Sequence, residues 1–414
     1  MDMEATSDIF LLSHPDLYIK CPFCDSGSLN LAENIFQGIH FIGKYNCTTC
    51  TKSFFQTLPT GHDLDFPISF DESGELLKTD TDVTLWFVRP LLDSLFKEKR
   101  IDVTIEKEVF RQTEDAIILN CLDDCFGHAF AKLWNFPILK ARYPNKSIIM
   151  FLPKRMRWLV PDGVDEVWSF NASFVDLENL LTNLGDEVRK NLLPRFSSVF
   201  ASKSSTHLGP GTVDLKAFLK TERFDLNKFG NTPPRITFVL REDRFWHPYR
   251  VEFFLFKVFV KLQLAKNLFV WRQNFLVDRA VRRIKKKLAN AEFYATGLNR
   301  TGKLSSVITD LRMKSLSAEN ERQWCDVYSK SHIVIGVHGS NMLIPSALSG
   351  GFIEILPRDK IKHIAEDTLV NHSSRYTHFL GRHLDHFVSP ALVSQHAISM
   401  LKDFDYVYRN ALWK

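Results

Sequence analysis

The stretch Ser331–Asp359, SHIVIGVHGSNMLIPSALSGGFIEILPRD, decides how the rest of the chain is read. Ile333-Val334-Ile335 is apolar and β-branched, as a strand buried on both faces of a sheet would be. Gly336 to Asn341 follows as a glycine-rich loop, Met342 to Leu348 reads as a short apolar helix, and Phe352 to Leu356 as the next strand. A loop that leaves a parallel strand and starts a helix turns free backbone N–H groups toward whatever sits there. Phosphate is the usual guest. Gly339 lets the backbone come close, and His338, Ser340 and Asn341 add side-chain donors. Glu354 falls near the carboxyl edge of the following strand, where ribose hydroxyls bind in such sheets.

Outward from this stretch, strand and helix signals alternate. Ala116–Asn120, Ser147–Leu152, Val164–Phe170, Ile236–Leu240 and Glu292–Ala295 read as strands, with helical spacing over Phe130–Arg142, Leu177–Leu193, Phe253–Leu268 and Ala318–Lys330. Such alternation predicts an α/β fold with doubly wound parallel sheets. The polar, glycine-containing run Ser202–Gly211 and Asn231-Thr232-Pro233-Pro234 mark a boundary between two similar halves. We therefore expect two Rossmann-like domains facing a cleft, over residues 80–228 and 232–390, and a final helix, 391–414, crossing back to the first. Asp65 to Lys78 is acidic and turn-rich and reads as a linker. Val83–Asp93 and Ile101–Val109 are strands or helices that pattern alone does not separate.

The front of the chain, residues 1–62, carries a different signal. Cys21-Pro22-Phe23-Cys24 and Cys47-Thr48-Thr49-Cys50 form two C-x2-C knuckles. Four thiolates from two knuckles complete a closed tetrahedral zinc site, structural in role because no position stays open. Ile35-Phe36, Ile39–Ile42, Tyr45 and Thr51–Thr57 read as strands of a small zinc ribbon. Its charge is low, so docking to the main body or to a partner is expected rather than nucleic-acid binding.

The Gly-x-His-Gly-Ser segment at 336–340, its apolar helix and its acid-bearing strand resemble the signature of family-61 glycosyltransferases. Ser340-Asn341-Met342 stands where that family often has Ala-Gly-Leu. Two more segments are similar to the family's in the same order: Ile236 to Arg244, a strand ending in a basic cluster, and Asp123 to Phe130, which carries His128 at the start of a helix. The likeness spans residues 115–390. It implies the two-domain GT-B fold, a nucleotide-sugar donor and an inverting transfer to a saccharide or lipid-linked glycan acceptor. It implies a diphosphate contact for Arg241, Arg244, Gly339, Ser340 and Asn341 and a diphosphate or acceptor contact for His338, with His247 near the nucleotide; the alternatives are a surface salt bridge of the arginines with Glu242 or Asp243 and a structural role for His338. His128 or Asp124 would be the base, the alternatives being a core histidine and a helix N-cap. No catalytic metal is expected: Asp80-Thr81-Asp82 has the letters of a metal motif but lies in a polar linker.

The composition is that of an ordinary globular protein, 45% hydrophobic and 24% charged, with a net charge of +5. That mild excess suits an anionic ligand or membrane surface and is too weak to argue for nucleic acid. The acidic start of the chain lacks a signal-peptide pattern and no run reaches membrane-span length, so a cytoplasmic protein is expected. Arg282–Lys287 is a solvated helix face or an electrostatic hold on the inner membrane leaflet. Two other readings stay open: a nucleic-acid-associated zinc-ribbon protein with a nucleotide-binding body, and a silent glycosyltransferase-fold scaffold.

Overall fold

A computed structural model describes residues 11–12, 18–78, 85–97, 99–206, 213–261, 266–298, 301–364, 368 and 378–410. Asp80-Thr81-Asp82 lies outside them. The protein is mixed α/β and divides into two compact units, Met1–Gly209 and Pro210–Lys414.

In the second unit six parallel strands stand in the order 308–310, 292–297, 235–240, 333–337, 351–356, 381–385. Numbered along the chain this is 3-2-1-4-5-6, the Rossmann order. It places a crevice where the first and fourth strands diverge, between Leu240 and Val337. Ile333–Val337 and Gly351–Leu356 are buried throughout, as parallel strands covered on both faces must be. The helix Pro390–Asn410 packs along Lys266–Lys287 in this same unit. Ser394 Oγ donates to Ala280 O, and Val393, Ala397, Met400 and Phe404 join the unit's core. Phe224, expected in the first domain, belongs to that core too, as does Phe229.

In the first unit the sheet order is 11–12, 198–201, 115–120, 147–153, 166–170, 105–109. Only the last strand is antiparallel. The chain steps from 115–120 through 147–153 to 166–170, then returns to 198–201 on the other side, so a second switch point lies between Asn120 and Ala201. A five-stranded antiparallel sheet precedes it: Leu29–Phe36, Phe41–Cys47, Ser53–Thr57, Ser69–Phe70 and Leu76–Lys78. Its far end is embedded in the α/β body, because Phe36, Phe41 and Leu58 share a core with Ile118, Phe151 and Trp168.

Three local expectations need correction. The expected linker 65–78 instead adds two strands to the ribbon sheet: Asp71 caps their turn by accepting from Ser73 N and Glu75 N, and Phe70 stacks on Phe55. The single helix read over 177–193 is two helices, Phe174–Asn179 and Leu184–Asn191. Gln37 Nε2 donates to Leu177 O and Leu180 O, and the Asn183 side chain pairs with the Val103 backbone. Leu180 is therefore extended, and Leu181–Thr182 pairs with Arg100–Ile101. The helix read over 130–142 also divides, into Phe126–Leu133 and Asn135–Arg142. Here the Asn135 amide donates to Lys132 O and Ser205 O. Among the described residues no helix is long and apolar enough to cross a membrane.

Candidate functional site

In the second unit the switch point gathers the loops after strands 235–240 and 333–337. Arg241 Nη1 donates to Asn341 Oδ1 at 2.7 Å, and Arg244 Nη1 to His338 O at 3.0 Å. Both guanidiniums lie against Gly339, whose φ is +147°. A Cβ there would collide with Arg241 Nη1 and stand 2.9 Å from Arg244 Nη1. The residue is glycine because two cations converge on its backbone. Asp243 takes the outer side of Arg241. Burial raises the Asp243 carboxyl, but the Arg241 hydrogen bond outweighs it and the net shift is downward. Asn341 Nδ2 is a buried donor with no hydrogen-bond partner among the described residues. Ser340 to Met342 is a 3-10 turn and the α-helix is only Leu343–Leu348. Positive potential at this loop therefore comes from the two arginines more than from a helix dipole.

His338 and Glu354 are placed differently from the expectation. Both side chains are fully buried. Glu354 Oε2 lies 3.1 Å from His338 Nδ1 and 3.3 Å from His383 Nε2. A carboxylate enclosed this way cannot present itself to a ribose. It braces the His338 loop from beneath, and in that loop Ser340 and Asn341 are the partly exposed residues. His247 is buried as well, among Phe245, Phe253 and Phe256 and beside His386. Burial, and then His386, pull its pKa down to about 4, so the ring is neutral.

A cavity of about 450 Å³ opens beside this loop, a size suited to a small ligand. Arg244, Lys257, Arg358 and Lys360 line it against Asp243 and Asp359, with His247 and His386 in its aromatic wall. Sequence reasoning missed Lys257, Arg358, Lys360, His383 and His386. Arg358 had a signal: it follows a buried strand at Pro357, much as Arg241 follows Leu240.

In the first unit the switch point holds Asp123, Asp124, His128 and Lys132. Helix Phe126–Leu133 starts after Cys125, its N-cap. The cap-like contact, Cys125 N to Asp123 Oδ1 at 3.3 Å, belongs to Asp123, so Asp124 is not the N-cap. His128 and Lys132 sit one turn apart on one helix face. His128 Nδ1 is 3.1 Å from Asp123 Oδ1 and 3.9 Å from Asp124 Oδ1, and Lys132 Nζ is 2.7 Å from Asp123 Oδ2. Burial opposes the Asp123 charge, but Lys132 and then His128 hold its carboxyl well below the usual range. Burial also opposes charge on His128, yet Asp123 and Asp124 outweigh it and raise the pKa to about 11. His128 is thus an imidazolium at neutral pH and has no lone pair with which to act as a base. Asp124 is pushed upward, by burial first, and stays partly exposed. The ligand-type atoms of Asp123, Asp124 and His128 lie within 4.8 Å of one another, with the Lys132 ammonium already beside Asp123. Trp86, Phe87 and His62 line a pocket next to Asp124.

The four knuckle cysteines converge, with Sγ atoms within 4.8 Å of one another. Cys21 and Cys50 are 3.6 Å apart, as are Cys24 and Cys47. The knuckles match: Asp25 N donates to Cys21 O and Thr51 N to Cys47 O, both at 2.9 Å. Asp25 and Thr51 are left-handed, at φ 58° and 62°. Two non-glycine residues in that region at equivalent positions mark a strained turn built twice. The four thiols could bind one metal ion.

No protein-family model matches the chain, and neither does any curated protein or solved structure.

Proposed function

We propose that this protein is a glycosyltransferase that uses a nucleotide-activated sugar, of the family-61 kind its His-Gly segment resembles. The observation that carries the reading is the convergence of Arg241 and Arg244 on Gly339 at a Rossmann switch point, beside a cavity with four basic side chains. Guanidiniums pair with phosphate oxygens in bidentate fashion. In this reading the donor diphosphate occupies the second unit, and the first unit supplies the acceptor side, the division of labour that a GT-B arrangement implies.

The transfer breaks the bond between the anomeric carbon and the diphosphate and forms one to an acceptor hydroxyl. The diphosphate leaves with the bonding pair, and Arg241 and Arg244 stabilise its charge. The hydroxyl proton passes to Asp124, the partly exposed carboxylate whose raised pKa suits a base. The adjacent His128 imidazolium holds Asp124 in place. In the knuckles we propose zinc, since four thiolates at this spacing favour it. It would hold Cys21, Cys24, Cys47 and Cys50 together with no part in the transfer.

Thermal shift with UDP, GDP, ADP and CMP tests the donor assignment. One of them at a hundredfold excess over its Kd should stabilise the protein by about 2.7 kcal/mol, and Arg241→Ala should abolish the shift. Failure of all four would overturn the reading. Asp124→Asn should then retain nucleotide binding while transfer falls by about 10².

A further inference from the structure

The helix Arg250–Lys261 is apolar on two sides. Phe256 and Phe259 turn inward onto Phe269. Val251, Phe254, Leu255 and Val258 turn outward, with exposures of 66%, 65%, 44% and 39%. Their i, i+3, i+4, i+7 spacing makes one continuous stripe. Tyr249 extends it at one end, and Leu268 and Trp271, 55% and 60% exposed, stand at the start of the next helix. A soluble surface rarely leaves so many large apolar groups together without an occupant.

The charge around the stripe selects the occupant. From Arg250 to Lys287 the only acids are Glu252 and Asp278, while lysines and arginines recur throughout. Glu252 is paired with Arg272, and Asp278 accepts from Ser305 N, so two acids stand against eleven lysines and arginines in this segment. Lys257 and Lys266 flank the stripe and are exposed, Lys266 with Glu242 at 3.4 Å. The Arg282–Lys287 run lies on the same helix as Trp271, its Arg283 about 18 Å further along at 1.5 Å per residue. A second copy of this chain would bring the same positive field against it. A surface with an apolar interior, an aromatic-tolerant boundary and negative headgroups is complementary on every count.

We propose that the Arg250–Lys261 helix, with Leu268 and Trp271, inserts into the face of an anionic phospholipid bilayer, and that Arg282–Lys287 adds long-range attraction to the same surface. This does not rest on the glycosyltransferase reading. It moves the membrane contact from the basic run alone to an apolar stripe the basic run accompanies.

Sedimentation of the full chain with vesicles of phosphatidylcholine, with and without phosphatidylglycerol, tests it. Binding to the anionic vesicles should exceed binding to the neutral ones by about tenfold or more and weaken with salt. Phe254→Glu with Val258→Glu should reduce it by about tenfold or more at unchanged melting temperature, since both side chains are exposed. Trp271→Phe should remove a component of fluorescence quenching by brominated lipid. Absence of anionic-vesicle binding, or binding that survives the double substitution, would overturn the proposal. So would a dimer in sedimentation velocity that the double substitution dissociates, because a second copy would then be the occupant.

Discussion

Gly339→Ala is the sharpest perturbation of the proposed donor site. At φ +147° an alanine is strained whatever the space, at a cost of about 1–3 kcal/mol. For a unit of this size that lowers the melting temperature by about 2–12 °C. The new methyl also occupies the space of Arg241 Nη1 and presses on Arg244 Nη1. Both are tips of flexible side chains and will retreat from the loop without unfolding it. Each guanidinium that loses its place costs the ligand about 1.5–3 kcal/mol, the scale of a hydrogen bond to a charged group. The loss of one guanidinium alone should therefore lower nucleoside diphosphate affinity by about 10- to 150-fold in isothermal titration calorimetry, and the loss of both by more, while far-UV dichroism stays native. Gly163→Ala separates strain from site. It has φ +84° and open space around a Cβ, so it should lower the melting temperature and leave affinity untouched. Unchanged affinity in Gly339→Ala would refute the assignment of the diphosphate to this loop. Equal losses in both variants would show that affinity merely follows stability.

Metal analysis should find one zinc per chain, and Cys47→Ser should lose it. Because the strand Phe41–Cys47 runs from the body core at Phe41 to the knuckle, chelation should also lower the melting temperature of the first unit. The His128 pKa, about 11 against an ordinary 6.5, gives the cluster of Asp123, Asp124 and His128 a pH signature. The folded protein keeps a proton that the unfolded chain releases, so the stabilisation is complete below about pH 6.5 and disappears as pH climbs through about 11. In urea melts wild type should exceed His128→Gln by about 1.5–3 kcal/mol at pH 6, with the gap closing toward pH 10; a gap independent of pH would remove the imidazolium from the argument. Glu354→Gln leaves His338 and His383 without their buried carboxylate. It should lower the melting temperature and loosen the 338–341 loop, read as faster amide exchange at Gly339 and Ser340; exchange identical to wild type would show that Glu354 does not brace the loop.

The strands that frame the second crevice were legible because burial on both faces selects largely apolar, β-branched runs, as Ile236–Leu240 and Ile333–Ile335 are. The knuckles were legible from spacing alone. The helix breaks at Leu180 and Trp134 were not. Each is made by an amide side chain bonding to backbone distant in sequence, such as Gln37 reaching Leu180 O or Asn135 reaching Ser205 O, and no local pattern records those meetings. The burial of Glu354 was half legible. An acid inside Phe352–Leu356, an otherwise apolar strand, already implies an internal partner. Only the register shows that it faces Gly336 on one neighbouring strand and His383 on the other. His128 was found by motif, but its role turns on Asp123, which sequence reading passed over in favour of Asp124.

The two switch points differ in electrostatics, and that difference supports the assignment of roles. After strand 115–120, Asp123 and Asp124 face Lys132 and a charged His128, so the cluster is close to neutral. Such a cluster has little pull on an anion, but it sets a carboxylate with a raised pKa beside a fixed cation, as proton transfer requires. After strand 235–240, Arg241 is paired with Asp243 and Arg244 donates to His338 O, and Lys257, Arg358 and Lys360 add charge around the adjoining cavity against Asp359 and Asp385. The Glu354 side chain lies beneath the loop, against His338 and His383. In the proposed transfer, the leaving group that gains negative charge as its bond breaks would be stabilised by the second arrangement, and the proton that the hydroxyl loses would go to Asp124 in the first.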